Sequence, residues 1–122
     1  MKKKILIIED DNFLQGLEAS KLKKAGYEVS TASNGDEGMI KISEEGVSLI
    51  LLDIILPQFD GFEILKKVRE DSTKKNIPVI VFSNLSEDKD IKKATELGAN
   101  DFMVKSNFTL DELVDRIEKI LK

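Results

Sequence analysis

Short apolar runs alternate with amphipathic stretches along the whole chain. The runs are Ile5–Ile8, Tyr27–Ala32, Leu49–Leu52, Val79–Phe82 and Phe102–Val104. Four of them are nearly continuous in apolar character, as expected of parallel strands buried on both faces. Between them, the spacing of apolar positions predicts helices over 12–25, 35–45, 60–71 and 86–97. A last helix carries Leu110, Leu113, Val114, Ile117, Ile120 and Leu121 on one stripe. Thr109 and Glu112 have capping-box spacing at its start, and Phe108 and Leu113 are placed for a hydrophobic staple. Gly26, Gly46 and Gly98 stand where C-terminal caps belong. Five strand–helix pairs imply an α/β fold with a parallel sheet and right-handed crossovers. They are too few for an eight-stranded barrel, so an open doubly wound sheet of five strands and five helices is expected. Ligands of such sheets bind beyond the carboxyl ends of the strands, where the strand order reverses.

The 122 residues, 41% of them apolar, suit one compact domain over 1–122. A net charge of −4 argues against a role in coating nucleic acid. Cysteine and histidine are both absent, which excludes disulfides, thiolate sites, cysteine nucleophiles, histidine acid–base catalysis and most zinc chemistry. Met1-Lys2-Lys3-Lys4 precedes an apolar stretch too short for a secretory signal. The longest apolar run, Leu49–Leu56, is interrupted by Asp53 and is too short to span a membrane. The expectation is a cytoplasmic protein that contacts neither membrane nor nucleic acid directly.

Four runs stop at a residue that can do chemistry. Ile5–Ile8 leads into Glu9-Asp10-Asp11, Leu49–Leu52 into Asp53, Val79–Phe82 into Ser83, and Phe102–Val104 into Lys105. The second run ends in Ala32-Ser33-Asn34, which suits an edge strand away from the site. A carboxylate at Asp53 is costly to desolvate unless paired or metal-bound. The alternative is that the strand ends at residue 52 and Asp53 caps the next turn. Asp11 or Asn12 is expected to cap the first helix, which accounts for only one of the three acids. Two carboxylates from the first strand and one from the third make a hard, oxygen-rich pocket suited to magnesium. Without a cation the acids repel one another, and at least one pKa should rise. Lys105 can pair with the acids and hold a phosphoryl oxygen. No Walker loop or dinucleotide fingerprint is present.

This ordered set resembles the receiver domain of bacterial response regulators over essentially the whole chain. The resemblance is carried by Ile5 to Asp11, Asn34-Gly35, Leu51-Leu52-Asp53-Ile54-Ile55-Leu56-Pro57, Asp60-Gly61, Val79 to Ser83, and Gly98 to Lys105. It implies a flavodoxin-like sheet of strand order 2-1-3-4-5 and a phosphoacceptor signalling module, with no enzymatic role beyond its own phosphorylation and dephosphorylation. Asp53 is then the phosphoacceptor. Glu9, Asp10, Asp53 and the backbone carbonyl of Ile55 hold Mg2+, for which Mn2+ can substitute. Lys105 contacts the phosphoryl group, and Ser83 and Phe102 form the switch. The implied phosphodonor is a sensor histidine kinase or phosphotransfer protein. The implied output is a downstream protein bound at the face of the fourth helix, fifth strand and fifth helix.

Three positions depart from the family pattern. Ser106 follows Lys105 where a cis-proline is usual, so a trans bond and an altered entry to the last helix are expected. Asn84 replaces a very small residue, and Gly38 sits inside the second helix, where alanine is about 1 kcal/mol better on propensity. The resemblance implies that Ile55 and Leu85 flank the approach to Asp53, with Asn84 beside them, and bear on dephosphorylation. A degenerate receiver acting as an unphosphorylated binding scaffold is the competing reading. A flavin carrier lacks its phosphate loop here, and an aspartate-nucleophile phosphatase lacks its first-strand nucleophile and cap. The length leaves no room for a DNA-binding output domain, so the chain is expected to be either a stand-alone regulator or a segment of a longer one.

Overall fold

The computed structural model describes residues 2–44 and 46–122. Among these residues the order is β1 (Lys4–Ile8), α1 (Asn12–Lys24), β2 (Glu28–Ala32), α2 (Gly35–Ile42), β3 (Val47–Leu52), β4 (Ile55–Leu56) and β5 (Phe59–Asp60). Then follow α3 (Gly61–Glu70), β6 (Val79–Ser83), α4 (Asp88–Glu96), β7 (Asp101–Val104) and α5 (Leu110–Leu121). A parallel sheet runs β2-β1-β3-β6-β7, and β4 and β5 form a separate antiparallel hairpin. Counting only sheet strands along the chain, this is the expected 2-1-3-4-5 order. β2 lies at an edge, and the order reverses between β1 and β3.

The continuous apolar runs arise because both faces of the sheet are covered. In β1, Leu6 and Ile8 join one core layer with Ile50, Leu52, Ile64, Leu65 and Val68. Ile5 and Ile7 point into a second layer with Leu49, Leu51, Leu22 of α1, and Leu113 and Ile117 of α5. Each large side chain so buried contributes on the order of 1.5–3 kcal/mol. The helix termini follow local chemistry. Asp11 caps α1 through Leu14 N–H, and Thr109 and Glu112 form the expected capping box. Phe108 packs on the same core layer as Leu113.

Several expectations change in detail. α2 ends at Ile42, short of residue 45, and Glu45 itself lies outside the described residues, as does Met1. Gly26 and Gly98 adopt φ of 101° just after their helices, whereas Gly46, at φ 84°, serves the turn into β3. The stretch before Gly61 holds the hairpin, which two-residue strands leave invisible to periodicity. Asp60 belongs to β5 and caps α3 through Phe62 N–H at 2.9 Å. No cis peptide occurs among the described residues; Lys105–Asn107 instead form a 3₁₀ turn leading to α5. At Gly38 an added Cβ would lie 2.8 Å from Ile8 Cδ1, so helix packing on β1 opposes alanine's propensity advantage.

Candidate functional site

The ends of β1 and β3 bring the chemistry together at the switch point. Asp53 N–H donates to Ile8 O at 3.0 Å, which holds the two strand ends in register. Both readings of Asp53 prove compatible. β3 stops at Leu52, and Asp53 Oδ1 accepts from Ile55 N–H at 3.0 Å as a turn cap. Its carboxylate is also buried, accepting from Ser83 Oγ at 2.8 Å and from Lys105 Nζ at 2.7 Å on Oδ2. Lys105 Nζ lies 2.6 Å from Glu9 Oε1, and Glu9 Oε2 accepts from Asp11 N–H at 3.2 Å. Asp10 is exposed, yet one oxygen each of Glu9, Asp10 and Asp53 lie within 4.8 Å of one another.

The electrostatics follow from burial. Desolvation pushes the Glu9 carboxyl up to about 7, and the charge of Asp53 adds to this against the opposing hydrogen bond from Lys105. Burial works against the Lys105 ammonium, but its bonds to Asp53 and Glu9 outweigh that and raise its pKa. The expected rise of at least one acid therefore occurs, with burial ahead of repulsion as its cause. Three carboxylate oxygens, one from an exposed residue, form a hard donor set that fits a divalent cation such as Mg2+.

The structure thus brings together Glu9, Asp10, Asp53, Ser83 and Lys105. Phe102 sits on β7 opposite Val81, half-buried against the core, while Ser83 pairs with Val104. Ile55 is 51% exposed at the mouth of the site. Asn84 is exposed and Leu85 half-buried just after β6, with Leu85 N–H 3.4 Å from Ser83 Oγ.

Two α1 residues near the site escaped sequence reasoning. Gln15 Nε2 donates to Glu9 O at 2.9 Å and Ala32 O at 3.0 Å, tying α1 to the strand ends. Glu18 is buried with no hydrogen-bond partner for either oxygen among the described residues. Burial, then the charge of Glu9, raises its pKa to about 8. An acid four residues from both Leu14 and Leu22, on an otherwise apolar stripe, was the available signal.

Residues 5–118 match the family model described as the response regulator receiver domain. The chain is similar to the alkaline phosphatase synthesis transcriptional regulatory protein PhoP of Bacillus subtilis. Identity there is 37% over 122 residues, covering 100% of this chain and 50% of that protein. It is also similar to the transcriptional regulatory protein CrdR of Helicobacter pylori, 38% identical over 119 residues, or 98% of this chain and 55% of that protein. The chain spans about half the length of the curated relatives it matches. Among solved structures, a CheY-like response regulator receiver domain protein of Methanospirillum hungatei aligns with a TM-score of 0.92 at 28% identity, covering 99% of this chain and 94% of that one. The beryllofluoride-activated N-terminal receiver domain of Klebsiella pneumoniae RstA aligns at 0.88 and 29%, covering 98% of each.

Proposed function

Because the chain belongs to the response regulator receiver domain family, a family of phosphoacceptor signalling modules, we propose that Asp53 is its phosphoacceptor. The observation that carries this is the placement of Asp53: buried at the switch point, bonded to Lys105 and Ser83, and grouped with Glu9 and Asp10. Residues 1–122 are read as one receiver domain, supported by the family match over 5–118.

The carboxylate's lone pairs suggest which atom attacks. Oδ1 already accepts from Ile55 N–H and Ser83 Oγ, whereas Oδ2 accepts only from Lys105 and keeps a lone pair free. Oδ2 would form the new O–P bond as the N–P bond of a phosphohistidine donor breaks, the leaving imidazole taking up a proton from solvent. Lys105 would follow the incoming oxygens and offset their charge. Glu9, Asp10, Asp53 and the Ile55 carbonyl would hold Mg2+, with Mn2+ as a substitute. When bound, that cation supplies charge neutralisation for the transferring group. Ser83 and Phe102 would pass the change to a protein partner through α4, β7 and α5. The phosphodonor would be a sensor histidine kinase or phosphotransfer protein.

Intact-mass measurement after treatment with acetyl phosphate and Mg2+ tests the reading. One phosphoryl mass is expected, lost in Asp53→Asn, in EDTA, and largely in Asp10→Ala. Equal labelling of Asp53→Asn, or labelling in EDTA as strong as in Mg2+, would sink it. Absence of labelling in wild type would favour the unphosphorylated scaffold.

A further inference from the structure

The chemistry above leaves one buried carboxyl unused. Glu18 is 1% exposed, and neither of its oxygens has a hydrogen-bond partner among the described residues. Its neighbours Ala19 and Leu22 pack into the core layer with Ile5, Ile7, Met103 and Leu113. An apolar side chain could fill that place without the desolvation that a carboxyl suffers. Side chains on a helix lean toward its N-terminus, so the Glu18 carboxyl leans toward the end of α1 that opens on the site. The charges that act on it belong to that end of the fold. They are Glu9 after β1, Lys105 after β7, Asp53 after β3 and Asp11 at the helix cap. Lys105 is the one cation in this set, and it uses two of its three ammonium hydrogens, on Glu9 and Asp53.

We propose that Glu18 is a positioning residue for Lys105, accepting the ammonium when Glu9 turns to a bound divalent cation and so keeping it aimed at Asp53. Without the cation, Glu9, Asp10 and Asp53 face a single ammonium, and a further negative charge nearby is disfavoured. Glu18 is then protonated and unpartnered. Two added positive charges reverse that balance. Glu18 loses its proton to solvent, and its carboxylate pairs with the hydrogen that Glu9 releases. The inference rests on the reading of Asp53 as acceptor and goes beyond it to a residue outside the acid pocket.

The test is the 15N signal of the Lys105 ammonium, assigned with Lys105→Arg, in wild type, Glu18→Gln and Glu18→Leu. Each is recorded metal-free and with Mg2+ plus beryllofluoride. Glu18→Leu replaces an unsolvated carboxyl with an apolar group and keeps the fold measurable. Metal-free, the Lys105 signal should coincide in wild type and Glu18→Gln. In the loaded state, the wild-type ammonium should exchange its hydrogens about tenfold more slowly than in either variant, the scale of one charge-assisted hydrogen bond. Indistinguishable Lys105 signals in all three loaded proteins would overturn the proposal. So would a difference of equal size in both states, because that is a packing effect. Intact-mass labelling run in parallel separates the two readings. Label on all three proteins with unchanged Lys105 signals refutes the role of Glu18 alone. No label on wild type refutes the acceptor reading.

Discussion

The Ser83 hydroxyl donates to Asp53 Oδ1 at 2.8 Å, with both side chains buried. The hydroxyl therefore contacts the Asp53 carboxylate before any modification, and a switch through Ser83 would consist of exchanging one oxygen it donates to for another. A phosphoryl group on Asp53 would draw the hydroxyl onto a new oxygen and free space toward Phe102. The two arrangements should pre-exist, with modification shifting their populations. Ser83→Ala should still be labelled, while the Phe102 ring resonances should move much less on beryllofluoride addition than in wild type. Identical Phe102 responses in the two proteins would rule the coupling out.

Neutralising Asp53 should stabilise the metal-free protein. In Asp53→Asn, the side-chain oxygen can still accept from Ile55 N–H and Ser83, and Lys105 keeps Glu9 at 2.6 Å. What disappears is the repulsion between Asp53 and Glu9, together with the Lys105–Asp53 ion pair at 2.7 Å, and the relief of repulsion is expected to be the larger effect. A gain of about 1 kcal/mol, or roughly 3–6 °C in Tm for a domain of this size, is expected in EDTA. A lower Tm would mean that the Lys105–Asp53 ion pair outweighs the repulsion.

Glu18 should make metal-free stability depend on pH. Its folded pKa is raised from 4.5 to about 8, so between these values the folded state holds a proton that the unfolded state has released. Stability should therefore be highest below about pH 4.5 as far as this group is concerned. It should fall as pH rises toward 8 and then level off. Urea unfolding at pH 5, 6.5 and 8 should show that slope in wild type and a flatter one in Glu18→Gln. Parallel slopes in the two proteins would assign the dependence to another group.

The phosphorylated form should be long-lived beside fast-resetting members of the family. Hydrolysis needs a water held in line behind the phosphorus. Ile55 and Leu85, which the family resemblance puts on its approach, can neither orient that water nor take its proton. Ile55 is half-exposed at the mouth of the site, where its bulk would shield an acyl phosphate on Asp53. Dephosphorylation should speed up in Ile55→Asn, Leu85→Glu and the double mutant, and stay near wild type in Asn84→Ala. Marked slowing in Asn84→Ala, with no effect of the polar substitutions, would make Asn84 the water-positioning group.

The strand–helix alternation and the location of the chemistry at strand ends were legible in the residue pattern, while the full sheet order came from the family resemblance. Burial on both sheet faces writes itself as continuous apolar runs, and a polar residue that ends such a run is conspicuous. Glu9, Asp53, Ser83 and Lys105 could therefore be named individually. Tertiary structure alone decided what these residues do to one another. Lys105 is 52 residues from Asp53 in sequence, and its bridge to both Asp53 and Glu9 exists only because β7 and β1 end on the same side of the sheet. The two-residue strands of the hairpin are too short to leave a period. Gly38 reads as a propensity defect until α2 packs against Ile8. Glu18 looks like one more charged residue on a helix whose exposed positions carry several. Only the packing of α1 against the sheet buries its carboxyl and turns a surface-type residue into an ionisable group inside the fold. Local pattern determines which elements form and which face is apolar, because it reports on each segment separately. Burial, pairing and pKa depend on the several segments that converge on one point.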